Sequence, residues 1–288
     1  MIPRQTLILM SILAFTMLAS QAIAQDIKQS PGKVYTSISA AMKNPESVVG
    51  LDLSHSSVSD LEKTLPQFIN LEYLNLSDAH LTRVPNAIVK LTKLRYLDLS
   101  GNDIKYLPED LVFVKTLEEL RLDRDLKLDT EQALKIAAKL PRLTALSLRG
   151  DSLSTLPESI LEMPQLRRLN IGDNPLTELP AKFAMLKTLE ELYLDREVKL
   201  NFKQAFKVLG QMKNLRILHI EDNRLKVLPN DLSKISSLEE LFVARNSLVK
   251  VDLDLRRMNK LNYVELFENP IKRESLDYLE RTGLRFGF

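Results

Sequence analysis

An aliphatic rhythm, L-x-x-L-x-L-x-x-N-x-L, runs through the chain from Leu71 onward. Its copies read LEYLNLSDAHL, LRYLDLSGNDI, LEELRLDRDLKL, LTALSLRGDSL, LRRLNIGDNPL, LEELYLDREVKL, LRILHIEDNRL, LEELFVARNSL and LNYVELFENPI. They start at Leu71, Leu94, Leu117, Leu143, Leu166, Leu189, Leu215, Leu238 and Leu261, and a weaker copy, VVGLDLSHSSV, starts at Val48. Within each copy the second and third leucines are two residues apart, the period of one face of a strand. A single strand of this kind cannot bury its apolar face. Copies stacked about 4.8 Å apart form a parallel sheet over one continuous leucine core.

The ninth position of the rhythm holds Asn102, Asn174, Asn223, Asn246 and Asn269. A short amide there is suited to bonding the backbone of the adjacent turn. Asp125, Asp151, Glu197 and Ala79 depart from the pattern, and the ladder is expected to be weaker at those rungs, most of all at Ala79. The return half of each copy takes two forms. Short copies carry Val84-Pro85, Leu107-Pro108, Leu156-Pro157, Leu179-Pro180 and Leu228-Pro229 before a brief apolar turn. Two longer copies lack that proline and contain DTEQALKIAAKLP (129–141) and NFKQAFKVLGQM (201–212), whose apolar spacing predicts helices. Successive starts from Leu71 are separated by 23, 23, 26, 23, 23, 26, 23 and 23 residues, so 71–142 and 143–214 read as one duplicated triplet.

Ten copies in register make the chain resemble the leucine-rich-repeat family over nearly all of its length past the N-terminal segment. Within that family the resemblance is to the 23-residue type with an L-P turn. It implies a right-handed, curved α/β solenoid with a parallel sheet on the concave face and short helices and turns on the convex face. It further implies protein recognition by the inner face, without a cofactor or a metal. The repeats are assigned to 48–270. At the front, 25–47 forms an N-terminal cap, with a short amphipathic helix over 35–45, Thr36 as its possible cap and Pro45 after its end. At the back, 271–288 forms a C-terminal cap, with a helix over 271–283 and a last extended segment in the final LRFGF.

The first 24 residues stand outside this scheme. Arg4 is followed by an uncharged, mostly apolar run from Thr6 to Ser20 and by Ala22-Ile23-Ala24, the order of features in a secretory signal peptide. The run is shorter than the roughly 20 residues that a membrane-spanning helix needs. Cleavage is therefore expected after Ala24, with no membrane insertion afterwards and a secreted or periplasmic destination. Removing Arg4 from 40 Lys and Arg against 38 Asp and Glu leaves a nearly neutral chain, which argues against nucleic acid as a general partner. There is no cysteine, so disulfides, thiolate metal sites and a lipoprotein anchor are chemically unavailable. Secreted eukaryotic relatives usually have cysteine-rich caps, so the resemblance leans bacterial.

With each first leucine as position one, positions two, three, five, seven and eight are expected to point out of the sheet. Position two alternates in charge along most of its length (Glu72, Arg95, Glu118, Thr144, Arg167, Glu190, Arg216, Glu239, Asn262), which reads as cross-strand ion pairing. Position five ends in Tyr193, His219 and Phe242, flanked by Ile217 and Tyr263 at position three and by Ala244 and Phe267 at position seven. Exposed aromatics gathered in one patch are typical of interaction sites. These seven residues, centred on Phe242, are the expected partner-binding surface, and Tyr73 with Tyr96 makes a weaker second pair.

Nothing in the sequence assembles a catalytic constellation. The three histidines, His55, His80 and His219, have no metal-ligand spacing, and neither a G-x-S-x-G elbow nor a Walker loop is present. The carboxylates fall in columns read as solvated, where ordinary ionisation is the default. The expected function is a non-catalytic protein-binding module. Two rivals remain: a surface or secreted adhesin for carbohydrate or a cell-wall polymer, and a periplasmic scaffold or inhibitor.

Overall fold

The computed structural model describes residues 33–287. The predicted signal peptide, and the segment 25–32 between it and the first strand, lie outside the described residues. Twelve parallel strands form one open sheet in the order of the sequence, β1 to β12. They are β1 Lys33–Tyr35, β2 Val48–Asp52, β3 Tyr73–Asn75, β4 Tyr96–Asp98, β5 Glu119–Arg121, β6 Ala145–Ser147, β7 Arg168–Asn170, β8 Glu191–Tyr193, β9 Ile217–His219, β10 Glu240–Phe242, β11 Tyr263–Glu265 and β12 Arg285–Gly287. Like positions pair strictly: Leu74 with Leu97, Leu97 with Leu120, Leu120 with Leu146, and so on to Leu241 with Val264. The longer copies keep this register because their extra residues are spent in the return segment.

Positions one, four and six enter one continuous core that runs from Ala41 to Leu279. The return segments close that core from the other side. After Pro85, Pro108, Pro157, Pro180 and Pro229 the chain makes a turn of 3-10 helix, where the proline's fixed φ suits the entry. The longer copies make the expected α-helices instead. Among the described residues the helices are α1 Ile38–Ala41, α2 Leu61–Thr64, α3 Thr130–Ala137, α4 Phe202–Leu209 and α5 Arg273–Glu280. The duplication extends to hydrogen bonds. Asp129 and Asn201 cap α3 and α4, and Gln132 and Gln204 each clamp both backbone groups of the preceding Leu107 or Leu179.

Each end of the sheet gains a short strand, with two corrections at the front. The cap helix spans four residues rather than eleven, and its N-cap is Ser37, whose hydroxyl accepts from the Ala40 N–H at 3.3 Å, not Thr36. Tyr35 belongs to β1, which pairs with β2 and so satisfies the backbone edge of β2, β1 becoming the outermost strand. At the back, α5 lies within the predicted range, and the final residues add β12 beside β11.

Position nine behaves as a ladder of buried amides. Asn246 donates to the Ile220 and Val243 carbonyls, each at 3.0 Å, and its Oδ1 accepts from the N–H groups of Asn223 and Leu225, each also at 3.0 Å. Asn102, six copies earlier, has the four equivalent partners, Leu76, Leu99, Ala79 and Leu81. The acidic rungs perform only the accepting half: Asp125 takes the Asn102 N–H, Asp151 takes the Asp125 N–H, and Glu197 takes those of Asn174 and Leu176. One oxygen of Asp125 and one of Asp151 are left without a partner. Burial is the main cause that pushes the carboxyls of Asp125, Asp151 and Glu197 up to about 8, 7 and 8. Position eight turns the chain with positive φ in every copy, from His55 at 56° to Glu268 at 53°, although only Gly101 and Gly150 there are glycines.

These rungs give a measurable asymmetry. Asn246→Ala leaves the Ile220 carbonyl and two N–H groups unpaired, the Val243 carbonyl keeping the Asn269 amide at 2.9 Å, and should cost about 2–4 kcal/mol in chemical denaturation. The triple change Asp125→Asn, Asp151→Asn, Glu197→Gln should stabilise. Carboxyls raised above their ordinary values hold protons more tightly when folded, so their contribution is greatest below about pH 4 and is lost as pH rises to about 8. The Tm advantage of the triple variant should widen across that window, and a constant gap would contradict this account.

Candidate functional site

The face of the sheet opposite the core carries positions two, three, five and seven, aligned across strands. Strand spacing brings flat side chains at like positions to ring-stacking distance. On β8, β9 and β10 the position-five rings form one pile: Tyr193 lies 3.9 Å from His219 at 7°, and His219 lies 4.4 Å from Phe242 at 8°. Tyr263 closes the pile from β11, tilted 55° with centroids 5.6 Å apart. A second pile joins Tyr73 and Tyr96 at 4.7 Å.

Acids hold the central imidazole from both sides. His219 Nε2 lies 3.3 Å from Glu191 Oε1, and Nδ1 lies 3.4 Å from Glu221 Oε2. Burial alone would lower the His219 pKa, but the contacts with Glu191 and Glu221 prevail and raise it to about 9, so the ring is a cation between two aromatic faces. Glu191 also accepts from Arg168 Nε at 2.9 Å and from the Tyr193 hydroxyl at 2.6 Å. Burial would raise its carboxyl, yet the His219, Arg168 and Tyr193 contacts bring it down to about 2. Glu221 is likewise held at about 2, against burial, by His219 and Asp195. Burial and the adjacent Glu221 push Asp195 well above the usual carboxylate range.

The structure gathers the seven predicted residues into one neighbourhood but corrects their exposure. His219, Phe242, Ala244 and Tyr263 are buried, Phe242 to 2% exposure, while Tyr193 and Ile217 are half-buried and Phe267 is exposed at 42%. Rings on adjacent strands cover one another's faces, which a single-strand pattern does not reveal. Ala244 is shorter than Glu221 and Phe267, its neighbours in the same column. Phe242 is thus the centre of a rigid support. The accessible surface is its rim, at Tyr193, Ile217 and Phe267.

The charged columns divide. Position two makes the expected ion pairs: Arg95 with Glu72 at 3.5 Å and with Glu118 at 3.0 Å, Arg167 with Glu190, and Arg216 with Glu239 at 2.8 Å. Position three does not follow the solvated reading. Glu119 and Glu191 are each 5% exposed, bridged by Arg168, and burial is the first cause of the rise of Glu119 to about 7. The available signal was the run Glu119, Ala145, Arg168, Glu191 down one column, in which opposite charges flank a short side chain. Among the described residues no helix is long and apolar enough to cross a membrane.

Comparison with known proteins agrees with this geometry. The sequence matches the family model described as Leucine rich repeat over residues 46–104 and 141–197, and the chain is a leucine-rich-repeat protein. A search of curated proteins returns no match. Among solved structures, an internalin from Listeria monocytogenes is similar with a TM-score of 0.60 at 20% identity, covering 88% of this chain and 72% of that one. A complex of TLR13 with ssRNA13 is similar at a TM-score of 0.63 and 23% identity, covering 84% of this chain and 37% of that one. The Toll–Spatzle complex of Drosophila follows at 0.56 and 26%, covering 84% and 33%. This chain therefore spans about a third of the latter two.

The ring pile makes its own prediction about pH. The folded pKa of His219, about 9, lies above the ordinary 6.5, so its stabilisation is complete below about pH 6.5 and disappears as pH rises through 9. Glu191 and Glu221, lowered from 4.5 to about 2, stabilise above pH 4.5 and cease to do so toward pH 2. NMR titration of the His219 ring should give a midpoint near 9, and His219→Gln should flatten the loss of stability between pH 6.5 and 9. A midpoint at 6.5 would overturn the clamped-cation description.

Proposed function

We propose that the chain is an exported, non-catalytic recognition protein that engages another protein through the C-terminal half of the open sheet face. The observation that carries this reading is an exposed Phe267, with half-buried Tyr193 and Ile217, beside an immobilised platform of His219, Phe242 and Tyr263. Aromatic side chains fixed before contact lose little conformational freedom on binding, and such anchors supply much of the energy of interfaces. The Toll–Spatzle complex supports the reading as an assembly that includes a similar fold. The Arg4-to-Ala24 pattern supports export to the periplasm or outside the cell.

Full-length protein immobilised on a surface should retain a partner from the envelope or culture medium of the source cells. The double variant Ile217→Ser, Phe267→Ser should bind that partner at least about ten-fold more weakly. Phe267 is exposed and Ile217 only half-buried, so the double variant should lose far less stability than a core truncation does. Unchanged binding would refute the proposed surface. So would a stability loss like that of a core Leu→Ala change, about 2–5 kcal/mol.

A further inference from the structure

Between the two ring piles the open face sinks. On β6 the columns hold Ala145 and Ser147, while β5 and β7 carry Glu119, Arg121 and Arg168 at the flanking places. The short side chains leave a hollow of about 230 Å³, with Tyr193 on its β8 side. A neighbouring hollow of about 250 Å³ shares Ala145 and Arg168 with it. The floor is a local absence of side chain, since position three elsewhere accommodates Tyr73, Tyr96, Arg168 and Ile217.

The walls hold hydrogen-bonding capacity that the described residues do not use. Glu119 Oε2 is buried without a hydrogen-bond partner, with Arg168 Nη1 beyond bonding range at 3.7 Å. Arg121 Nε is also buried without one, although Arg121 Nη2 donates to Asp123 at 3.1 Å. Buried polar atoms of this kind ordinarily find a partner, and an orphan costs about 1–3 kcal/mol. Here an orphan acceptor and an orphan donor belong to two of the residues that line one small hollow.

The mixture of signs selects the occupant. An anion drawn toward Arg121, Arg149 or Arg168 must displace the carboxylates that already hold them, Asp123 at 3.1 Å, Asp173 at 3.5 Å and Glu191 at 2.9 Å, while a cation meets three guanidinium groups. A neutral group with adjacent hydroxyls donates to Glu119 and accepts from the arginines without introducing a charge. The Tyr193 ring, stacked on His219 on its β9 side, adds a flat apolar wall. Polar edges beside one aromatic wall match a ring whose rim carries hydroxyls and whose face carries C–H groups. We infer that the hollow over Ala145 binds one neutral monosaccharide unit of a glycan, with Glu119 and Arg121 as its hydroxyl partners and Tyr193 against its C–H face. The burial that raises Glu119 toward neutrality lets its carboxyl exchange between accepting and donating. This site meets the rim of the ring pile only at Tyr193 and does not rest on the protein-recognition reading.

The test uses saturation-transfer NMR on the full chain with methyl glucoside, methyl mannoside, methyl galactoside and N-acetylglucosamine as free probes. At least one should bind saturably at millimolar concentration. Ala145→Leu, which fills the floor in a column that elsewhere holds Ile217 and tyrosines, should weaken that binding at least ten-fold with Tm unchanged. Glu119→Gln should weaken it less. Sodium acetate and ethylammonium chloride, standing for acidic and basic side chains of a protein partner, should not compete with the sugar. The inference is overturned if none of the four sugars binds, if Ala145→Leu binds as the parent does, or if either ion displaces the sugar.

Discussion

Strict parallel register is the constraint from which the rest of this molecule follows. Each strand is held about 4.8 Å from the next by backbone hydrogen bonds, and like positions face like positions across the sheet. Every residue choice is therefore repeated against a neighbour at contact distance. On the core side this suits leucine, because identical branched side chains pack rung upon rung. On the open side identical charges would repel and lone rings would remain wet. The columns answer with alternating charge at position two and with stacked rings at position five.

The same crowding makes the open face drier than its polar composition suggests. Glu119 and Glu191 are nearly inaccessible although they point away from the hydrophobic core. Taking carboxylates out of water is costly unless charges or donors compensate. Glu191 has three such contacts, with His219, Arg168 and Tyr193, and stays ionised. Glu119 has a buried oxygen without a hydrogen-bond partner and is driven toward neutrality. Two acids in one column thus differ in ionisation through their neighbours alone. The position-nine ladder obeys the same rule, since an amide both donates and accepts where a carboxylate only accepts.

Much of the architecture was legible because the repeat is redundant. A pattern written ten times survives local departures, so the strands, the L-P turns and the two longer helices follow from apolar spacing. The front cap has no such repetition to average over. There the spacing of 35–45 suggested one helix, whereas Tyr35 pairs with Leu51 of β2 and Ser37 starts a helix of four residues. The seven proposed contact residues were found as a group, since columns can be written from the sequence. Their accessibility was not, because it depends on ring orientation between strands: Phe242 is covered by His219 and Tyr263.

The sequence by itself determined which positions face the core, how strands succeed one another and which side chains share a column. Those properties are periodic, and periodicity is a one-dimensional quantity. Tertiary structure alone decided which columns are dry, that His219 is a cation between two rings and that a hollow opens over Ala145. Each of these depends on distances between residues more than twenty positions apart, where the desolvation of one group is set by the size and charge of another.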